Sequence, residues 1–225
     1  MVKKRIGLIH ATMNSVKPIL EAFSKLDDDV ELINFMDEGL VYELNETNKI
    51  TNRMLIRLTE LAGKAVESRV DAILFTCSSF SPYVSKIAGL IPVPVLSSDE
   101  SMLKNAIDSE RKIIVISTIK KAGPTTQKML EEYAAAFDKN IDVEIHVLEE
   151  AFHALQSGNE EKHDRLIQDK INEQSTQDII VLAQYSMARA TEDIDDDRVL
   201  TAPNAGAQAI VKLSERAGTE GCDEN

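Results

Sequence analysis

Sulfur, aromatic rings and positive charge are all scarce in this chain, and each shortage excludes a class of function. Two cysteines among 225 residues, Cys77 and Cys222, with Cys222 in the polar stretch 218–225, leave no disulfide framework and no cysteine-based zinc site. Cys77 is therefore expected as a free thiol. Tryptophan is absent and aromatics make up 4%, so a base-stacking platform for nucleic acid is not expected. Lys and Arg number 25 against 38 Asp and Glu, a formal charge of −13 that disfavours a nucleic-acid backbone or an anionic membrane as partner. The longest apolar runs, such as 113–116 and 179–183, are far too short for a bilayer. The opening Met1-Val-Lys-Lys-Arg leads into a strand pattern rather than a secretory core, so a cytoplasmic protein is expected. Gly-x-Gly-x-x-Gly after the first strand, a Walker loop and His-Glu-x-x-His are missing too, which removes dinucleotide, nucleotide and zinc-protease chemistry at the motif level.

What remains is a chain with 43% hydrophobic residues, enough to bury a core. Apolar runs at 6–11, 30–35, 72–76, 93–96, 113–118, 143–148, 179–183 and 199–201 read as strands, and amphipathic stretches such as 51–68, 125–137 and 160–174 read as helices between them. Strands alternating with helices predict an α/β fold with parallel sheets. The uninterrupted apolar character of 113–116 and 179–182 fits strands covered on both faces.

The chain also repeats itself. Ile6-Gly-Leu-Ile-His-Ala11 resembles Ile113-Ile-Val-Ile-Ser-Thr118, and Ala72-Ile-Leu-Phe-Thr-Cys77-Ser-Ser resembles Ile179-Ile-Val-Leu-Ala-Gln184-Tyr-Ser. Ala11 to Cys77 spans 66 positions, and so does Thr118 to Gln184. Two similar Rossmann-like lobes related by a pseudo-two-fold axis follow: residues 1–98 plus 202–225, and residues 99–201. The active site is expected in the cleft between them, with Cys77 and Gln184 at equivalent strand ends facing one another. The C-terminal ends of parallel strands are where such sheets carry their ligands.

The ordered set of His10-Ala-Thr12-Met-Asn14-Ser15, Thr76-Cys77-Ser78-Ser79, Ser117-Thr118 with Pro124-Thr125-Thr126, residues 151–158, Gln184-Tyr185-Ser186 and Ala202-Pro203 resembles the aspartate/glutamate/hydantoin racemase superfamily, which also contains maleate isomerases and arylmalonate decarboxylases. The resemblance covers nearly the whole chain. It implies a cofactor-independent enzyme, with neither cofactor nor metal, that acts on a small carboxylate-bearing carbon acid and forms a homodimer. Racemases of this kind use two cysteines, because inversion removes a proton on one face of a carbon and returns one on the other. Here the first position is Cys77 and the second is Gln184, an amide that exchanges no useful proton near neutral pH.

One thiol leaves two mechanisms open. Cys77 can add as a thiolate to an activated alkene or carbonyl, or it can shuttle a proton on one face of an enolate-like intermediate. Both call for a lowered thiol pKa and a cradle for negative charge, which the hydroxyls and amides of Ser78 and Ser79 can supply. Thr12, Asn14, Thr118, Thr125 and Thr126 are further candidate carboxylate ligands, and Gln184 and Ser186 candidate binding residues on the second half. His10 is a candidate proton donor or orienting group for Cys77, and Tyr185 a candidate acid/base or packing residue. His146 and His153 read as structural, and His163 as an exposed residue at the start of a polar helix. The pairs Asp37-Glu38, Asp99-Glu100 and Glu149-Glu150 stand near strand ends; for Asp99-Glu100 a helix-capping role is favoured. The expected activity is thus isomerisation, with a decarboxylase-type lyase or a non-catalytic carboxylate binder as alternatives.

Overall fold

The computed structural model describes residues 3–27 and 29–220, with side chains as far as Glu215. The chain runs β1 (Lys4–His10), α1 (Val16–Ser24), β2 (Val30–Met36), α2 (Gly39–Thr47), α3 (Asn52–Glu67), β3 (Ala72–Phe75), α4 (Ser81–Ala88), β4 (Val95–Ser97) and α5 (Ser98–Asp108). It continues with β5 (Ile113–Ser117), α6 (Ala122–Ala136), β6 (Val143–Val147), α7 (Glu149–Gln156), α8 (Glu160–Asn172), β7 (Ile179–Leu182), β8 (Val199–Thr201) and α9 (Ala202–Glu220). This is the α/β class expected, in two compact units: Met1–Glu100 with Gly206–Asn225, and Ser101–Ala205.

Each unit is built on one parallel four-stranded sheet, ordered β2-β1-β3-β4 in the first and β6-β5-β7-β8 in the second. The register repeats as well as the order. Ile6 pairs with Ala72 and Ile9 with Phe75, while Ile113 pairs with Ile179 and Ile116 with Leu182, so the same 66-residue step joins the central strands of both sheets. The central strands β3, β5 and β7 are buried along their whole length, as their unbroken apolar sequences require.

In the first unit, Ile9, Ile73 and Phe75 pack with Leu58, Ala62 and Val84 of α3 and α4. Helix α3 starts where Thr51 accepts the Met54 N–H, and it turns Met54, Leu58, Leu61, Ala62 and Ala65 inward at helical spacing. In the second unit, Ile114, Ile116, Ile180 and Leu182 pack with Ile167 and Ile171 of α8. Among the described residues, no helix is long and apolar enough to cross a membrane.

Candidate active site

In the first unit the parallel order brings the C-terminal ends of β1, β3 and β4 to one edge. After Phe75 the chain leaves the ladder. Cys77, still extended at φ −127° and ψ 111°, caps a 3-10 turn over Ser78–Phe80, and α4 follows with Pro82 in its first turn. The half-buried thiol is thereby presented at the start of two successive helical turns. Burial pushes its pKa up to about 11, against the pull of the Ser79 amide, with the negative charge of Asp99 adding to the rise and the Ser79 hydroxyl and Phe80 amide opposing it. The lowered thiol pKa expected from the sequence is therefore corrected: enclosure and Asp99 outweigh the donors of the turn.

His10 is 0% exposed at the end of β1. Its Nε2 faces Asn34 Oδ1 at 2.9 Å, which assigns the ring proton there, and Nδ1 lies 2.7 Å from Thr76 Oγ1 and 3.0 Å from Ser15 Oγ. Burial lowers its pKa, so the ring is held neutral. His10 thus reaches the site through Thr76, the residue before Cys77. Ser15 donates to the Thr12 carbonyl at 2.9 Å, while Thr12 caps the turn over Met13–Ser15 by accepting the Asn14 N–H at 3.3 Å. Thr12 is half-buried and Asn14 exposed at the same edge.

From β4 comes Asp99, 5% exposed in the first turn of α5. Ser78 Oγ donates to its Oδ1 at 3.2 Å and Ser81 Oγ to its Oδ2 at 2.5 Å, with Ser97 Oγ donating to Ser81 Oγ at 2.7 Å. Burial raises the Asp99 pKa and the two serine hydroxyls moderate it. Sequence reasoning placed Asp99 as a helix cap. The structure gives its carboxylate to the serines around Cys77, and it adds Ser15, Thr76, Ser81 and Ser97 to the site. The available signal was a string of small hydroxyl residues and an acid, Ser97-Ser98-Asp99, directly after a strand.

The second unit carries the matching edge. Gln184 caps a 3-10 helix over Tyr185–Thr191, as Cys77 caps its own turn. Its side chain closes a ring with Thr118: the Thr118 N–H donates to Oε1 at 2.7 Å, and Nε2 donates to Thr118 Oγ1 at 3.0 Å. One amide hydrogen of Gln184 is left for a ligand. Ser186 is half-buried beside it, Tyr185 is buried, and Ser117 Oγ is buried without a partner at the end of β5. Thr125 and Thr126 lie in α6 rather than at a strand end. Thr125 is exposed with its hydroxyl donating to the Lys121 carbonyl at 2.7 Å, and Thr126 is buried.

Of the other acidic candidates, Asp37, Glu149 and Glu150 are ion-paired. Asp37 receives a two-point contact from Arg57 at 2.8 and 2.5 Å, while Glu149 pairs with Lys120 and Glu150 with Lys162. His163 is 0% exposed, not exposed as expected, with Nδ1 2.7 Å from Asp164 Oδ1. Cys222 lies outside the described residues.

The fold resembles that of several solved racemases. An aspartate racemase homologue from Pyrococcus horikoshii OT3 superposes with a TM-score of 0.69 at 18% identity, covering 94% of this chain and 99% of that one. The aspartate racemase of Picrophilus torridus gives 0.71 at 17%, covering 94% of each chain. The allantoin racemase of Klebsiella pneumoniae gives 0.67 at 17%, covering 95% of this chain and 89% of that one. No protein of curated function matches this sequence significantly. The sequence of residues 6–210 matches the Asp/Glu/Hydantoin racemase family, to which this chain belongs.

Proposed function

We propose that this protein is a cofactor-independent isomerase of the racemase type that acts on a small carboxylate-bearing carbon acid with a single thiol. Family membership supports racemase- or isomerase-type function. The observation that carries the finer reading is the pairing of unlike residues at one repeated position: Cys77 capping the turn after β3, Gln184 capping the turn after β7. A thiol exchanges protons and an amide does not, so proton traffic runs on one face of the substrate carbon, which serves a keto–enol or double-bond shift rather than inversion of that carbon. Cys77 is the acid/base; Ser78, Ser79, Thr12 and Asn14 bind the carboxylate or oxyanion. Gln184 offers its remaining N–H, supported by Thr118 and Ser186. The amide of Ser79, with that of Phe80, stabilises the sulfur whenever it carries negative charge.

The raised proton affinity of Cys77 favours one second reading, a decarboxylase-type lyase. There the carbanion arises from loss of CO2 and needs only a proton donor, so a resting thiol suffices.

Purified protein in deuterated water, offered a panel of small hydroxy, keto, unsaturated and malonate-type acids, tests both. Deuterium incorporation or isomerisation supports the first reading, and CO2 release with one deuterium delivered to carbon supports the second. Cys77→Ala is expected to lower either rate by at least about a hundredfold. Unchanged acids across the panel would leave a carboxylate-binding protein, and a Cys77→Ala variant at full rate would remove the thiol from the mechanism.

The same reading has the chain working as a homodimer. A groove of about 470 Å³ between α3 and α4, lined by Leu55, Ile56, Ile87 and Leu90, suits a second copy. Ile56 is 58% and Leu90 70% exposed. Glu60 and Lys86, of opposite charge, also line it, so a second copy can meet each with its opposite.

A further inference from the structure

Because the two sheets share order and register, each position after a strand of the first has a counterpart in the second. Cys77 corresponds to Gln184, Ser78 to Tyr185 and Ser81 to Ala188, while Ser97 corresponds to Thr201 and Asp99 to Pro203. The half with the thiol joins these positions into one network: Ser97 to Ser81, and Ser81 and Ser78 to Asp99. In the other half Ala188 and Pro203 have no side-chain donor or acceptor, and Thr201 Oγ1 is buried without a partner. The network therefore accompanies the cysteine rather than the fold.

A carboxylate so enclosed is costly, and two hydroxyls repay only part of its lost hydration. Helix capping does not explain it, since Ser, Thr or Asn would cap α5 without burying a charge. What sets Asp99 apart from those residues is charge, and that charge acts on Cys77. Of the other titratable groups at this edge, His10 is held neutral and turned to Thr76, and Asp37 is paired with Arg57.

We propose that Asp99 is a positioning residue for Cys77: through Ser78 it fixes the turn carrying the sulfur, and its charge keeps the proton on that sulfur in the resting enzyme. This rests on Cys77 being the reacting thiol. Cys77 then enters the reaction as an acid and not as a nucleophile. In the lyase reading the C–C bond to the departing carboxyl group breaks, releasing CO2 and leaving its electron pair on the substrate carbon; the S–H bond then breaks, and that pair takes the proton to form the new C–H bond. The sulfur keeps the S–H pair as a thiolate facing the Ser79 and Phe80 amides, and water returns its proton.

The test reads the thiol without a substrate. In a Cys222→Ser background, iodoacetamide labelling of Cys77 is followed by intact mass across pH, for the parent and for Asp99→Asn. The parent midpoint is expected well above that of a free thiol, and Asp99→Asn should move it down by about one pH unit. At pH 8 labelling should be roughly three- to fourfold faster, less than the tenfold gain in thiolate because a less basic sulfur is the weaker nucleophile. Asp99→Glu, which keeps the charge, should hold the parental midpoint. A folded Asp99→Asn with an unmoved midpoint overturns the proposal. Where Asp99→Asn does not fold, Asp99→Ser serves, and if neither neutral variant folds, Asp99 belongs to the framework and the proposal fails. Loss of turnover in Cys77→Ala alongside an unmoved midpoint would sink the role of Asp99 alone. A shifted midpoint with full turnover in Cys77→Ala would sink the one-thiol reading alone.

Discussion

At the scale of single residues, proton affinity sets what each group can do. His10 is neutral in the fold because burial lowers its pKa, whereas in the unfolded chain it titrates near 6.5. The unfolded state therefore binds more protons as pH falls below about 6.5, and folding loses stability there at a limiting rate of about 1.4 kcal/mol per pH unit. Asp99 works in the opposite sense: burial raises its pKa, so the folded chain takes up that proton first on acidification and gains stability. Urea unfolding of the parent and of His10→Gln between pH 7.5 and 5 should isolate the first effect as a difference, with the variant less stable at pH 7.5 and the gap closing toward pH 5. Parallel curves would mean that His10 takes its proton without cost. Cys77 was legible from its place after an apolar strand. Its proton affinity was not, because that depends first on how deeply the fold buries the thiol and then on Asp99, which arrives after a different strand. His163 was legible in part: it begins the series His163, Ile167, Ile171, spaced by four along the buried face of α8, and that spacing outweighs the polarity of its neighbours.

Among the elements, the strands were recoverable from sequence almost to the residue, and the small error is systematic. The apolar stretches 6–11, 72–76, 113–118 and 179–183 all end one residue past the ladder, which stops at His10, Phe75, Ser117 and Leu182. Apolarity reports burial, and Ala11, Thr76, Thr118 and Ala183 remain buried while the backbone turns out of the sheet. Those turns carry the site. The 3-10 turns over Met13–Ser15 and Ser78–Phe80 were not legible, because three-residue segments have no periodicity to read. Helix α9 shows what holds the edge in place. A Cβ on Gly206 would lie 2.8 Å from Ser98 Cβ and 2.9 Å from Ser98 Cα, against backbone that cannot swing away. Gly206→Ala should cost about 1–3 kcal/mol, seen as a lower melting temperature. An unchanged melt would show that α9 slides on α5 without loss.

For the molecule as a whole, the α3/α4 groove predicts self-association. The parent should sediment as a dimer, and Ile56→Asp with Leu90→Asp, both changes at exposed positions, should sediment as a monomer with its circular dichroism intact. A monomeric parent at tens of micromolar would remove the groove as the contact, by the usual area and affinity requirements of such surfaces. The duplicated architecture was open to sequence because the 66-residue step survives as a count. The divergence between its halves was open only as two unlike letters, Cys and Gln. Their surroundings explain why those letters are hard to exchange. Thr118 donates its N–H to Gln184 Oε1 and its hydroxyl accepts from Gln184 Nε2, whereas the matching residue opposite Cys77 is Ala11, whose side chain asks for nothing. Cysteine placed at 184 would leave the Thr118 N–H and hydroxyl without their partner, so a second thiol at this position calls for changes at 118 and 184 together. A second thiol here is a change of two letters at once, locked by one threonine.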